Sequence, residues 1–410
     1  MHKPSNTSLP RRNLLRNASV ALASAALPAT ATAENLPRWT LEQGESLFEH
    51  PYGIPSPFEK AVVRRPRETL PFPTSTLTPL RELEGIITPN GLHYIRDHAG
   101  TPIIDPEQHR LVIHGMVDRP LSFAMNDLMR FPSVSRIHFL ECSGNIPLNK
   151  TAAIKPNWTV QDTHGLLSCA EWTGVHLSDL LAEAGVQPGA TWFLAEGADA
   201  AALTRSIPLE KAMDDAILAW AQNGERLRPE QGYPLRLLLP GYEGNTNVKW
   251  LRRIKLGDQP FQTREETSKY TSLQADGTAL QFNFVINAKS VITRPSPGPL
   301  LAPGFHEITG LAWSGRGRIT RLEVSTDGGA SWSDAALQEP VMTKCLTRFR
   351  LPWTWDGSPA TLQSRATDET GNVQPTRAAF LGQRGPNSMY HYNAIVGWRL
   401  APGGELTLAA

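Results

Sequence analysis

The pattern of hydrophobic and polar positions predicts many short strands and few long helices. Residues 136–141 combine β-branched and aromatic side chains, and the run ends abruptly at residues 143–145, a Ser-Gly-Asn sequence. Such a pattern favours a buried strand that stops at a tight turn. This strand would carry Cys142 to its end, where a thiol can reach a ligand. Residues 235–239 predict a second buried strand, which leads into a glycine-rich loop at residues 241–250.

The pattern of apolar and polar residues changes after about residue 290. Short stretches in which apolar and polar residues alternate, such as residues 321–325, are separated by turn signals about every ten residues. The Asp-Gly-Gly sequence at residues 327–329 is one of these turns. This spacing is typical of an antiparallel β-sandwich. The predicted fold class is therefore α+β, with a mixed α/β part over residues 86–289 and an immunoglobulin-like β-sandwich over residues 290–410.

The first 33 residues differ from the rest of the chain. They contain no acidic residue, carry Arg11 and Arg12 ahead of an apolar run, and end in Ala-Thr-Ala. This order of basic, apolar and small residues predicts a twin-arginine signal peptide over residues 1–33, which directs export of the folded protein. Residues 34–85 are rich in proline and charge, and we interpret them as an extended N-terminal arm.

Composition and charge narrow the classes of function. The 410 residues are 40% hydrophobic and 19% charged, as in a soluble globular protein, and this length predicts two or three domains. The formal net charge of +1 falls below zero once the basic residues of the signal peptide are removed, so a nucleic-acid partner is unsupported. We interpret Arg64, Arg65 and Arg67 of the arm as solvated charge, with a docking patch as the alternative.

The chain contains three cysteines, Cys142, Cys169 and Cys345. An odd number in an exported protein leaves at least one thiol unpaired or bound, and whether Cys169 and Cys345 pair stays open. No P-loop, dinucleotide fingerprint, zinc CxxC, HExxH or GxSxG motif occurs. Residue types alone leave three interpretations of Cys142: a buried small hydrophobe, a nucleophile paired with a histidine, or the ligand of a transition metal.

Four segments, in their order and spacing, resemble the sulfite oxidase family of molybdopterin enzymes. They are HYIRDH at residues 93–98, FLECSGN at residues 139–145, GYPLR at residues 232–236 and NVKWL at residues 247–251. In that family one cysteine thiolate binds molybdenum carried by a single molybdopterin. The sandwich segments at residues 312–315 and 324–329 resemble the family's dimerisation domain. The resemblance thus covers nearly all of the mature chain.

The resemblance implies a molybdenum-molybdopterin cofactor and a role for each matching residue. Cys142 would bind the metal, Arg96 and Tyr270 would line the substrate side, and Trp158 has the spacing of an active-site tryptophan. The residues implied to hold the pterin and its phosphate are Tyr94, Arg96, His98, Cys142, Asp199, Gln231, Arg236, Asn247, Val248 and Lys249. Gln231 stands where a histidine is usual in the family.

Several stretches resemble the sulfane dehydrogenase branch of the family, which acts in thiosulfate oxidation. TREETSKY at residues 263–270 is one of them. Sulfite oxidases carry paired arginines that bind sulfite where this chain has Ile146 and Pro147, so a positive charge is missing from the pocket. The resemblance then implies oxidation of the sulfane sulfur of a cysteine persulfide on a carrier protein. Oxidation of free sulfite and a cofactor-free exported binding protein are the alternatives.

The resemblance also implies redox partners in the periplasm. The chain has no CxxCH haem-attachment motif, so we expect no haem in this chain and a separate c-type cytochrome subunit as electron acceptor. Residues 86–289 would form the molybdopterin-binding catalytic domain. Residues 290–410 would form the dimerisation domain of a homodimer within a heterotetramer. No membrane span and no nucleic-acid partner are expected.

Overall fold

The structure, a computed structural model, describes residues 37–43, 46, 48, 50–67, 73–149 and 154–409. The signal peptide predicted over residues 1–33 lies outside these residues. The described residues up to Lys60 belong to a separate unit of the chain, in which Arg38–Thr40 and Pro57–Glu59 form short 3-10 helices. Over the described ranges, no helix is long and apolar enough to cross a membrane.

From Ala61 onward the chain forms a second compact unit built from strands and short helices. The helices are α1 (Met125–Leu128), α2 (Val160–His164), α3 (Leu177–Ala184), α4 (Leu209–Asp214), α5 (Arg264–Ser268) and α6 (Arg377–Arg384). The strands before the sandwich are β1 (Arg65–Pro66), β2 (Ser75–Leu77), β3 (Ile95–Arg96), β4 (Leu111–Gly115), β5 (Leu121–Phe123), β6 (Ser133–Glu141), β7 (Leu167–His176), β8 (Trp192–Gly197), β9 (Thr204–Pro208), β10 (Ile217–Gln222), β11 (Glu225–Arg226), β12 (Arg236–Leu238), β13 (Leu251–Gly257), β14 (Ser272–Leu273) and β15 (Ala279–Leu280). Three more 3-10 helices lie at Asn90–Leu92, Pro229–Gln231 and Gly244–Thr246.

Two larger sheets form the framework of the mixed α/β part. One has the strand order β11-β10-β7-β6, with β12 beside β10, and all of its strand pairs are antiparallel. The other has the order β5-β4-β13-β8-β9, in which β4 and β13 alone run parallel. Leu111, Leu181, Phe193, Leu237 and Ile254 share one buried hydrophobic cluster. Strands from both sheets and helix α3 therefore pack around a common core.

Helix α2 is fixed close to the predicted cysteine turn by its first residues. The Thr159 side chain accepts from the Asp162 N–H, and the Asp162 carboxylate accepts from the Thr159 N–H over 2.8 Å. This reciprocal capping box satisfies two backbone donors that a helix start otherwise leaves unpaired. After the helix, the Leu166 N–H donates to the Asn145 side chain over 3.1 Å. The start of β7 is thereby tied to the turn that follows β6.

A small three-stranded sheet, in the order β1-β2-β3, connects the end of the arm to the site. Arg65 pairs with Leu77 across β1 and β2, and Ser75 pairs with Arg96 across β2 and β3. Part of the segment predicted as an extended arm is therefore a sheet strand in the second unit.

The C-terminal part is a sandwich of two antiparallel sheets. Its strands are β16 (Lys289–Arg294), β17 (Gly304–Trp313), β18 (Ile319–Ser325), β19 (Ser333–Asp334), β20 (Ala336–Gln338), β21 (Thr347–Trp355), β22 (Ala360–Asp368), β23 (Gly397–Leu400) and β24 (Leu406–Ala409). One sheet has the order β16-β17-β21-β20 and the other the order β19-β18-β22-β23-β24. Ile308, Phe349, Leu362 and Trp398 share the core between them. The predicted α+β class with a C-terminal β-sandwich is confirmed.

A buried ion pair joins the two parts of this unit next to the predicted cysteine site. Glu141, the last residue of β6, accepts from Lys289 Nζ over 2.8 Å, and both side chains are at most 2% exposed. Trp313 Nε1 donates to the other carboxylate oxygen over 2.8 Å, and the Asn145 amide donates over 3.0 Å. The carboxylate thus has three partners, two of which come from the sandwich.

The other two cysteines also lie at this boundary. Cys169 of β7 and Cys345, two residues before β21, are free thiols whose Sγ atoms are 3.5 Å apart. Both side chains are at most 1% exposed. Burial raises the pKa of Cys169. Neither thiol is therefore accessible or reactive in the folded chain.

Replacing Lys289 with methionine should destabilise the fold strongly. The variant leaves the Glu141 carboxylate buried without its cation, which typically costs about 3–5 kcal/mol. Urea unfolding followed by circular dichroism measures the change. The double variant Glu141→Gln with Lys289→Met removes both charges and should recover much of the loss. Equal stability of the Lys289→Met protein and the wild type would show that the Lys289 charge does not stabilise the buried Glu141 carboxylate.

Candidate cofactor and substrate site

Cys142 lies in the first turn after β6, as the sequence predicts. Its backbone N–H donates to the Leu166 carbonyl over 3.0 Å, and its own carbonyl accepts from the Asn145 N–H over 2.9 Å. The side chain is half-buried. Burial raises the pKa of Cys142, and the guanidinium groups of Arg96 and Arg67 act against that rise. The thiol is therefore protonated at neutral pH in the cofactor-free chain, and a bound metal would deprotonate it.

The glycine-rich loop after β12 packs directly against this turn. A Cβ atom at Gly244 would lie 2.7 Å from the Tyr94 hydroxyl and 3.0 Å from the Glu141 carbonyl. Any larger residue would force the backbone apart. The next residue, Asn245, donates from its amide to the Ser143 hydroxyl over 3.0 Å. Glycine at this position therefore lets the loop bring polar side chains alongside the cysteine.

A cavity lies beside Cys142. It brings together most of the predicted cofactor-binding residues: Tyr94, Arg96, His98, Cys142, Asp199, Gln231, Arg236, Asn247 and Lys249. The lining residues that the sequence analysis did not single out are His93, Asp97, Leu140, Leu203, Gly244, Asn245 and Trp250. Most of these lie inside the motifs that carry the family resemblance. These residues could have been predicted by treating every position within the motifs as a candidate, because their residue types alone do not mark them.

Two basic side chains line this cavity: Arg236, which is buried, and Lys249, which is half-buried. Arg236 is 3% exposed, stacks 4.8 Å from the centre of the Trp172 ring, and donates to the Gln231 and Asn247 carbonyls over 3.0 and 3.2 Å. Burial lowers the pKa of Arg236 to about 10 and the pKa of Lys249 to about 7. Both groups are thus held where their positive charge is poorly solvated.

These cations fit an anionic ligand. The described hydrogen bonds of Arg236 and Lys249 go to backbone carbonyls, and Arg236 Nε and His93 Nε2 are buried without a partner among the described residues. A buried cation without an anion is costly, and guanidinium and ammonium groups are common phosphate partners. The Cys142 thiol is a soft donor suited to a transition metal. The donor set therefore fits a molybdenum ion on a phosphate-bearing pterin.

A second, larger cavity shares part of its wall with the first. Arg96, His98, Cys142 and Tyr270 line both cavities. The Tyr270 hydroxyl lies 3.2 Å from His98 Nε2. Burial raises the pKa of Tyr270 and lowers the pKa of His98, so both groups are neutral at neutral pH. The shared wall thus presents one thiol, one fixed cation and one phenol donor.

A buried network of charged side chains packs against the Tyr270 ring. The Arg205 guanidinium lies 4.7 Å from the centre of the Tyr270 ring and contacts Glu243 at 3.2 Å and Glu266 at 2.8 Å. His391, which follows α6, contacts Glu243 at 2.7 Å. Burial acts to raise the pKa of Glu243, but His391 and Arg205 outweigh burial and hold it below its usual range. Arg205 and His391 cannot be identified from the sequence, because no local pattern marks a pairing between distant segments.

Residues from widely separated segments complete the second cavity. Arg67 comes from the arm, Lys269 precedes Tyr270, and Met389 and Tyr390 follow α6. Arg67, which the sequence suggests is solvated charge, is half-buried and lines this cavity. The C-terminal part also contributes to the site.

Two predicted site residues lie outside the linings of these cavities. Val248 is fully buried, and its carbonyl accepts from the Leu237 N–H over 2.8 Å, which ties the loop to β12. Trp158 is half-buried and packs against the core shared with the sandwich. Their predicted roles in binding the cofactor and the substrate stay predictions.

Comparison with known families agrees with this geometry. Residues 98–265 match the "Oxidoreductase molybdopterin binding domain", and residues 281–397 match the "Mo-co oxidoreductase dimerisation domain". The chain is 30% identical to sulfite oxidase from Gallus gallus over 323 residues, which cover 72% of this chain and 70% of that protein. It is 31% identical to mitochondrial sulfite oxidase from Mus musculus over 325 residues. That match covers 72% of this chain but only 58% of the mouse protein, so the chain spans less than two thirds of its length.

The chain belongs to the sulfite oxidase family of molybdopterin oxidoreductases. Among solved structures, its fold is similar to the sulfane dehydrogenase SoxCD from Paracoccus pantotrophus, with a TM-score of 0.89 and 46% sequence identity. That match covers 92% of this chain and 98% of the other. The resemblance to the family, and to its sulfane dehydrogenase branch, is confirmed.

Lys249 should make the cofactor-free chain more stable as pH rises. Burial lowers its pKa to about 7 from the ordinary value of 10.5. Between these two values the unfolded chain binds more protons than the folded chain, so the free energy of unfolding increases with pH. Protein from a host that cannot make molybdopterin should gain thermal stability from about pH 7 to about pH 9. The Lys249→Met variant should gain less, and what it keeps comes from Lys211, whose pKa burial lowers to about 8.

Scanning calorimetry of both cofactor-free proteins across this pH range measures the effect. Lys255→Met, which changes an exposed lysine of β13, is the control and should keep the wild-type dependence. A Lys249→Met variant with the same pH dependence as the wild type would show that Lys249 is not the titrating group.

Proposed function

We propose that this chain is a molybdenum enzyme that oxidises the sulfane sulfur of a cysteine persulfide presented by a carrier protein. The observation that carries this proposal is the shared wall of the two cavities. Cys142, Arg96, His98 and Tyr270 face a cation-lined cavity suited to a cofactor and a larger cavity suited to a substrate. A metal on Cys142 would therefore meet the substrate next to one fixed cation and one phenol.

Cys142 would bind the metal of a single molybdopterin, and Arg236 and Lys249 would hold its phosphate. When bound, this cofactor supplies two-electron oxidation of sulfur, with the added oxygen drawn from water. The chain positions the reactants and adjusts their charge. The fully buried Val248 and the Gly244 contact fix the loop that carries Lys249, so its amino group is held in place before any ligand arrives.

Arg96 and Tyr270 would stabilise the oxyanion that forms on the oxidised sulfur. The guanidinium supplies a permanent positive charge, and the neutral phenol donates a hydrogen bond. The burial that raises the pKa of Tyr270 keeps this donor protonated through the neutral range. Its partner His98 is also neutral, so the Arg96 charge is not balanced by a second ion in the shared wall.

The residues beside the cysteine turn favour a substrate held on a carrier. Ile146 and Pro147 line the second cavity at the positions of the paired arginines in sulfite oxidases. Ile146 is 3% exposed and has a φ of 58°, a left-handed conformation that a β-branched residue rarely adopts. The apolar wall is therefore kept despite backbone strain. Such a wall suits the apolar part of a cysteine side chain that carries the sulfur better than it suits a small free anion. Oxidation of free sulfite is the second candidate, because the vertebrate relatives carry that name.

The proposal includes partners and a location. The electrons would pass one at a time to a separate c-type cytochrome subunit, and the sandwich would pair two copies of this chain within a heterotetramer. The sequence at residues 1–33 supports export of the folded, cofactor-loaded protein to the periplasm by the twin-arginine route. Absence of the protein from a periplasmic extract, when it is expressed from its full sequence, would contradict the location.

Replacing Cys142 with serine should abolish turnover. The soft thiolate ligand of the metal is lost, although Arg236 and Lys249 can still hold the pterin phosphate, so turnover should fall to about one hundredth of the wild-type value or less. Reduction of the cytochrome measures turnover, and elemental analysis gives the molybdenum content against which it is normalised. Cys345→Ala, which removes a buried thiol away from the cavities, should keep wild-type turnover. Retained turnover in the Cys142→Ser protein would refute the role of Cys142 as the ligand.

The choice of substrate is tested by direct comparison. The purified complex is offered a carrier protein that bears a cysteine persulfide and, separately, free sulfite, while reduction of the cytochrome is followed by its absorbance. We expect kcat/KM for the carrier-bound sulfur to be at least about a hundredfold larger, since a missing charge contact on a small anion weakens its binding. Comparable values for the two substrates would favour the sulfite dehydrogenase function instead.

A further inference from the structure

The three arginines of the arm have different surroundings. Arg64 forms a salt bridge with Glu230 at 3.2 Å, and Arg65 forms one with Asp162 at 3.2 Å. Arg67 lines the second cavity and makes no salt bridge with a carboxylate among the described residues; its described side-chain contact is a long one of 3.5 Å to the Gly144 carbonyl. The arm therefore brings one cation without a described counter-ion to the substrate side.

The small sheet explains why this cation points toward the cavity. The Arg67 N–H donates to the Ser75 carbonyl over 2.8 Å, which extends the β1-β2 register by one residue. Ser75 in turn pairs with Arg96 on β3. Arg67, Ser75 and Arg96 thus form one row across the three strands, and residues in one row project from the same face of a sheet.

Both ends of this row line the second cavity, and only Arg96 also lines the first. We propose that Arg67 is a second anion-binding residue of this enzyme, which acts with Arg96 to hold a sulfur oxyanion in the second cavity. Arg67 would thereby place in the second cavity a positive charge that Ile146 and Pro147 do not supply.

This inference deepens the proposed function and rests on it for the nature of the substrate. Sulfane oxidation adds oxygen from water to the persulfide sulfur and passes the electrons to the cofactor, so the product is a sulfur oxyanion. A guanidinium can bind two oxygens of such an anion at once, which suits the product more than the starting sulfur, since that sulfur carries no oxygen. Arg67 would therefore determine which sulfur species the cavity retains, without contacting the cofactor cavity.

Direct binding of inorganic sulfate to the cofactor-loaded enzyme tests the inference without turnover. Titration calorimetry compares the wild type with Arg67→Gln, Arg67→Lys and Arg65→Gln. Removing one charge-assisted hydrogen bond should weaken sulfate binding roughly tenfold or more in Arg67→Gln, while Arg67→Lys, which keeps the charge, should lose less. Arg65→Gln removes an equal charge two residues away and should bind as the wild type does.

The outcomes separate this inference from the proposed function. Wild-type sulfate affinity in Arg67→Gln would overturn the role of Arg67, and so would absence of sulfate binding by the wild type. Unchanged molybdenum content and circular dichroism in Arg67→Gln establish that a weaker affinity is not a folding defect. If the wild type binds sulfate through Arg67 but oxidises neither sulfur substrate, the proposed function fails while the anion site stands.

Discussion

The buried ion pair between Glu141 and Lys289 is the constraint on which the rest of the site depends. It ends strand β6 at a fixed point, one residue before Cys142, and it takes its cation from the first strand of the sandwich. A charge pair with almost no exposure stabilises a fold only if its remaining polar atoms are satisfied, and Trp313 and Asn145 meet that need here. The position of the thiol is therefore set by both parts of the protein at once.

Several residues around the same point have strained backbone conformations. Ile146, Trp250 and His391 adopt left-handed backbone conformations although none of them is glycine, and each belongs to or adjoins a cavity-lining segment. Such conformations persist only where the surrounding structure holds them. Here the dense packing of the turn, the glycine-rich loop and the segment after α6 provides that hold. The site is thus rigid before a ligand binds, which suits a scaffold that orients reactants.

Much of this arrangement could be predicted from local sequence. An apolar β-prone run followed by Ser-Gly-Asn is enough to place Cys142 at a strand end, and regular turn signals are enough to identify the sandwich. The family motifs located most of the cofactor cavity. The pairing of distant segments could not be predicted: whether Arg67 faces solvent or a cavity depends on a register shared with β3, and Tyr390 reaches the site only through tertiary packing.

The burial of Cys169 and Cys345 has a consequence for handling the protein. These two thiols are closed to solvent, so Cys142 is the sole cysteine among the described residues that a reagent can reach in the folded chain. A ligated thiolate does not react as a free thiol, so labelling with a chromogenic thiol reagent would fall as the cofactor is loaded. A simple absorbance titration would then report the fraction of a preparation that carries its metal.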